Sequence, residues 1–185
     1  MLSLNKHIDA SGVCIITLDN VASHPQIIER IIRCFALGEE VFLGHYRQDG
    51  FNLTNNQMKE LKEKIPRYFS QYGDYQIVDK TPKKRKRKYL VTCRCPNDER
   101  FYKMLKDILA YYWQTVIFCP LIDWSSFVSL YQNYMSVPLK TYIQNGYTDF
   151  LFFYTDSGDF SIMFDSRRNS IDSIFEQINS LFGEK

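Results

Sequence analysis

Hydrophobic and polar positions alternate along this chain with two different periods. Val13 to Leu18 (VCIITL) is an apolar, β-branched run closed by Asp19 and Asn20, and it predicts a buried strand. The period then changes. Ile27, Ile28, Ile31, Ile32 and Phe35 recur at helical spacing, which predicts a helix with Ser23 as N-cap, Pro25 in its first turn and Gly38 as its stop. Glu40 to Tyr46 predicts a second strand. Thr54 or Asn55 predicts the cap of a charged helix through Lys64 that Pro66 interrupts. Tyr75 to Asp79 and Tyr89 to Cys95 are strand-like runs joined by TPKKRKRK, the pattern of a hairpin whose basic connection is residues 80–88.

The second half of the chain is more helical. Asn97 is expected to cap a helix that Asp98 and Glu99 favour through its dipole, with Phe101, Leu105, Ile108, Leu109, Tyr112 and Val116 as its stripe and Pro120 as its end. Phe127, Leu130, Tyr131 and Tyr134 predict a helix starting near Asp123. Leu139 to Gln144 predicts a short one stopped by Gly146. Asp149 to Tyr154 and Asp159 to Phe164 flank TDSG as a hairpin. Asn169 or Ser170 then caps a closing helix with Ile171, Ile174, Phe175, Ile178, Leu181 and Phe182 on one face. Strands followed sometimes by helices and sometimes by strands imply one α+β domain over residues 1–185, with a largely antiparallel sheet and several amphipathic helices.

Composition agrees with a domain that builds its own core, since 45% of the 185 residues are hydrophobic and 16% aromatic. The five cysteines are an odd number in a chain of this size, which argues for a reducing compartment and against a disulfide framework. The first residues, MLSLNKHIDASG, lack the apolar core of a secretory signal, and no run is long enough to span a membrane. A cytoplasmic protein is the expectation.

The formal charge of +2 conceals an uneven distribution. Lys83, Lys84, Arg85, Lys86, Arg87 and Lys88 are consecutive, and the remaining 17 basic residues face 21 acidic ones, so the rest of the chain is net −4. Clustered cations make a local field that scattered ones do not. The block suits phosphate contacts on a nucleic acid, with Tyr72, Tyr75 and Tyr89 as stacking surface. It suits an acidic protein surface equally well. PKKRKRK also resembles a nuclear localisation signal, which would place the protein in the nucleus of a eukaryotic or virus-infected cell.

Other candidate chemistry is sparser. Cys93 and Cys95 in VTCRC put two thiols on one strand face, shared with Tyr89 and Val91, and a zinc site would need a second ligand pair. Buried core thiols are the expected reading. Asp156 and Asp159 fit turn formation around Gly158. Asp165, Arg167 and Arg168 stand between a hairpin and a helix start, where the arginines gain nothing from the helix dipole, and this points to a partner or to a salt bridge. No nucleophile elbow, P-loop or dinucleotide fingerprint occurs. The chain reads as a binding protein without metal or cofactor.

The segment DFLFFYTDSGDFSIMFDSRRNSIDSIFEQINSLF, from Asp149 to Phe182, resembles the ending of small intracellular α/β immunity proteins that accompany bacterial polymorphic and contact-dependent toxins. IIERIIRCFALGEE, from Ile27 to Glu40, is similar in character to their early helix. The resemblance covers under a third of the chain. It implies a protein that binds a cognate toxin and neutralises it by occlusion. Asp156, Asp159, Asp165, Arg167 and Arg168 would form one contact edge and Lys84, Arg85, Lys86, Arg87 and Lys88 another. The alternative is a nucleic-acid-binding protein that works through residues 83–88.

Overall fold

The computed structural model describes residues 3–21, 24–48, 70–71, 73–80, 88–110, 114–131, 137–155 and 158–183. The first hairpin joins β1 (Ser3–Ile8) to β2 (Val13–Asp19) and leads into α1 (Pro25–Phe35). Three strands follow, β3 (Glu40–Gln48), β4 (Asp74–Lys80) and β5 (Lys88–Pro96), then α2 (Glu99–Ala110) and β6 (Gln114–Pro120). Two short helices, α3 (Trp124–Tyr131) and α4 (Lys140–Gln144), precede the hairpin of β7 (Thr148–Tyr154) and β8 (Phe160–Asp165). The last element is α5 (Ile171–Gly183).

The eight strands form one sheet in the order β1-β2-β8-β7-β6-β3-β5-β4. Every pairing in it is antiparallel. The fold is α+β, as the mixed element order predicts. It joins opposite ends of the chain, because β2 pairs with β8 from Val13 opposite Asp165 to Leu18 opposite Phe160.

Both faces of the sheet are covered, which explains why most central strands are apolar at consecutive positions. On one face Cys14, Ile16, Leu43, Cys93, Ile117, Phe152 and Ile162 meet α1, α2 and α5 through residues such as Ile31, Ile32, Phe101, Leu105, Ile174 and Ile178. On the other face Val13, Phe42, Val116, Phe118 and Leu151 meet Phe127 and Tyr131 of α3 and Tyr142 and Ile143 of α4. Each such side chain contributes about 1.5–3 kcal/mol through burial. Cys93 and Cys95 are buried with their Sγ atoms 3.3 Å apart, core thiols on one strand face.

The structure departs from the sequence pattern at identifiable places. The N-cap of α1 is His24 and makes no side-chain cap bond; Ser23 lies outside the described residues. That helix ends at Phe35, before Gly38, where the Ala36 N–H donates to the Ile32 carbonyl. Asn97 does not cap α2. Asp98 does, taking the Arg100 N–H at 2.9 Å, while the Asn97 amide donates to the carbonyls of Ala36 and Gly38. The helix expected through Val116 stops at Ala110, and Gln114–Pro120 is a central strand. β1 is a polar edge strand that no apolar pattern announced. Asp123 caps α3 through the Ser126 N–H, and Ser170 stands at the start of α5 with the Ser173 N–H aimed at its hydroxyl. The helix expected over 54–64, and Tyr134 beyond α3, lie outside the described residues. Among the described residues no helix is long and apolar enough to cross a membrane.

Candidate interaction surfaces

The strand ends divide the candidate residues between two opposite ends of the sheet. The C-terminal end of β8 carries Asp165, whose carboxylate shapes the corner that follows. It accepts the Arg167 backbone N–H at 2.8 Å and the Arg167 guanidinium at 2.6–3.0 Å. Its own carbonyl takes the N–H groups of Arg168 and Asn169 at 3.1 Å. These donors hold the Asp165 carboxyl below its ordinary value of 3.8, with the Arg167 side chain as the main cause. Arg168 turns the other way and reaches Asp149 at the start of β7, 3.6 Å away.

The β1–β2 turn completes this corner. Gly12 adopts a φ of +81°, a conformation that side-chain-bearing residues rarely adopt, and its carbonyl takes the Ser166 N–H at 3.0 Å. Asp9 accepts the Ser11 and Val13 N–H groups at 2.8 and 3.1 Å, and Lys140 of α4 reaches it at 3.4 Å. The Ser11 hydroxyl, then those backbone donors, draw the Asp9 carboxyl down to about 2. Beneath them the buried Cys14 thiol is pushed up, first by desolvation and then by Asp165 and Asp9. Three acid–base pairs, Asp9–Lys140, Asp165–Arg167 and Asp149–Arg168, thus sit side by side.

Asp159 is not part of this corner. It precedes β8 at the opposite end, about 20 Å from Asp165 at the usual rise of a strand residue. There it pairs backbone to backbone with Thr155, accepts the Asn20 N–H at 3.4 Å, and helps hold the β2–α1 connection against the β7–β8 turn. The single contact edge expected from Asp159, Asp165, Arg167 and Arg168 is therefore split along β8. Asp156 lies outside the described residues.

Of the basic block only Lys88 is described, and it starts β5 at the Asp159 end. Lys80 stands opposite Lys88, so β4 and β5 pair antiparallel in the expected order. Lys83, Lys84, Arg85, Lys86 and Arg87, and Tyr72, are outside the described residues. The register adds a cation that no local pattern revealed, because Arg47 of β3 stands opposite Tyr89 although 42 residues separate the two in sequence. Tyr75 does not accompany the block. It pairs with Cys93, five residues along β5 from Lys88, or about 17 Å.

Two further features belong to the Asp165 end, where β3 begins and β5 and β6 finish. Ion pairs join Glu40 to Arg94 and Asp98 to Arg100. Leu37, before β3, and Leu121, after β6, are 86% and 49% exposed. Sequence reasoning missed both, since an isolated Leu beside a Gly or a Pro carries no signal of exposure. The chain matches no protein family, no curated protein and no solved structure in comparisons with each.

Proposed function

We propose that this chain is a non-enzymatic cytoplasmic binding protein of the immunity type, which neutralises a cognate protein toxin by covering a surface the toxin needs. The observation that carries this reading is the Asp165 corner. Its charged groups are arranged in advance by backbone hydrogen bonds at the end of a rigid sheet, so they lose little freedom when a partner docks. The donors around Asp9 and Asp165 favour their ionised forms, which suits recognition by charge. The resemblance of residues 149–182 to immunity proteins supplies the class of partner. The first check is whether a secreted-toxin reading frame adjoins this gene; with the purified domain it encodes, the protein is expected to elute as a 1:1 complex in size-exclusion chromatography. Separate elution at micromolar concentrations overturns the reading.

A second reading, nucleic-acid binding, is favoured by the register that brings Lys80, Lys88 and Arg47 to one end of three adjacent strands. Under it, a gel shift at low salt is expected for the intact protein and is lost when Lys83 to Lys88 are all replaced by Ser. The affinity of the intact protein would fall steeply with added salt. Absence of any shift at low salt dismisses this alternative.

A further inference from the structure

Asn145 is the only asparagine in this chain that is followed by a glycine. Where glycine follows asparagine, its backbone nitrogen can attack the asparagine side-chain carbonyl, because no Cβ crowds the approach. The fold puts this pair at the end of α4. Asn145 is the C-cap, with φ −84° and ψ 0°, and Gly146 follows in the left-handed region at a φ of +69°. The Gly146 N–H donates to the Ile143 carbonyl at 3.0 Å and the Tyr147 N–H to the Tyr142 carbonyl at 2.9 Å, the paired bonds of a glycine-terminated helix.

The surroundings leave the reacting groups open. The Asn145 residue is exposed, and among the described residues nothing holds its side-chain amide. Arg168 lies against the same turn, since a Cβ added to Gly146 would stand 3.5 Å from its Nη2 atom, while its Nη1 reaches Asp149 at 3.6 Å. The pair therefore borders the Asp165 corner.

We propose that Asn145 and Gly146 form a self-modifying site, at which the native protein converts with age to aspartate and isoaspartate. The Gly146 nitrogen bonds to the Asn145 Cγ as its proton passes to a solvent base. The Cγ–Nδ2 bond breaks, and the amide nitrogen takes a proton and leaves as ammonia. Water then opens the cyclic imide at one carbonyl or the other, giving aspartate or isoaspartate, with no oxidation or reduction at any step. The helix end sets the rate. The proton that must be lost is held by the Ile143 carbonyl, and with ψ at 0° the Gly146 nitrogen is swung away from the Asn145 side chain, so the last turn opens before the ring closes. Either product adds a carboxylate next to Gly146 and its Arg168 neighbour. Isoaspartate also lengthens the backbone by a methylene, which takes the Gly146 N–H out of line with Ile143. The corner thus changes charge with the age of the molecule, whatever partner it serves.

The test is incubation of the purified full chain at mildly alkaline pH, folded and in guanidinium chloride, followed by ion-exchange chromatography and peptide mapping by mass spectrometry. The folded protein is expected to gain an acidic species whose change maps to residue 145, while Asn169 and Asn179, each followed by serine, stay intact. The unfolded chain should convert about 10–100-fold faster, the effect of two backbone hydrogen bonds. Asn145→Gln, which would have to close a larger ring, should gain no such species. Methylation by a protein isoaspartate methyltransferase marks the isoaspartyl fraction, which is expected to melt below both the wild type and Asn145→Asp. An Asn145 still intact in the folded protein after about a hundred half-times of the unfolded chain overturns the proposal. Conversion of Asn169 or Asn179 at the same rate, or persistence of the acidic species in Asn145→Gln, overturns the assignment to this turn. Equal rates with and without denaturant overturn control by the helix end.

Discussion

Gly44 shows how much one residue can decide in this molecule. A Cβ built there would lie 2.2 Å from the Tyr131 hydroxyl oxygen and 2.3 Å from its Cζ. Tyr131 cannot move aside, being fully buried with its ring stacked on Phe127 at 5.3 Å and edge-on to Phe118 at 5.9 Å. Gly44→Ala is therefore expected to destabilise the protein by about 1–3 kcal/mol in urea unfolding, the usual cost of overpacking. Combining it with Tyr131→Leu should recover part of the loss, because the two changes act on one contact. The thiols make a second test at this scale. Burial pushes Cys119 up to about 12, and Cys14, Cys93 and Cys95 are likewise buried, while Cys34 is half-buried. Alkylation of the native protein is expected to modify Cys34 first, with the other four reacting only at the rate of unfolding. Mass spectrometry of timed samples checks the order.

Acid sensitivity also belongs to individual residues. The carboxyls of Asp9, Asp98, Asp123 and Asp165 all lie below their ordinary value of 3.8, held there chiefly by Ser11, Arg100, the Ser126 N–H and Arg167 respectively. A carboxylate depressed in the folded state adds stability that is complete above its unfolded value and disappears as pH falls through the folded one. Urea midpoints should accordingly stay level from neutrality to about pH 5 and fall below about pH 4. Asp165→Asn should lower the midpoint at pH 7 and leave it unchanged near pH 2.

At the level of elements, β6 is the most informative. Ile117 and Phe118 are 2% and 1% exposed yet point to opposite faces, so a strand buried on both sides reads as a continuous apolar run. The step from Tyr112 to Val116 happens to suit a helix, and nothing local separates the two periods. Ile117→Ala is expected to cost about 2–5 kcal/mol, while Leu121→Ala, just past the strand end, should cost under about 0.5. Chemical denaturation of the two variants separates a central strand from the end of a surface helix. Elements with one apolar face or a clear turn were legible in the sequence: α1, the β4–β5 hairpin, the β7–β8 hairpin and α5. β1 was not, because SLNKHI is an exposed edge whose partners lie on one side only. The site divides similarly. Asp165 with Arg167 is a local pair, two residues apart, and was visible. Arg168 with Asp149, Lys140 with Asp9, and the Asn97 support of Leu37 join segments that only the fold brings together.

For the molecule as a whole, the pairing of β2 with β8 governs cohesion. The β7–β8 hairpin lies between the first hairpin and the β6-β3-β5-β4 half, and among the described residues no other strand links the two. A chain ending at Gly146 loses β7, β8 and α5, and should show no cooperative thermal transition. In the intact protein the amides of β8, β7 and β6 are expected to exchange slowest, and those of the outer strands β1 and β4 fastest, by hydrogen–deuterium exchange.

That same pairing sets a schedule during synthesis. When Asp19 leaves the ribosome, the strand that will lie beside it is still some 140 residues from being made, which at usual elongation rates is a wait of about 7–30 s. Through that interval the nascent β1–β2 hairpin has an open inner edge. Its apolar side chains await helix α5, which is translated after β8. Occupation by chaperones that hold extended segments is thus expected early in translation and release only at its end, so a truncated message would yield a product for degradation and not a partly active protein.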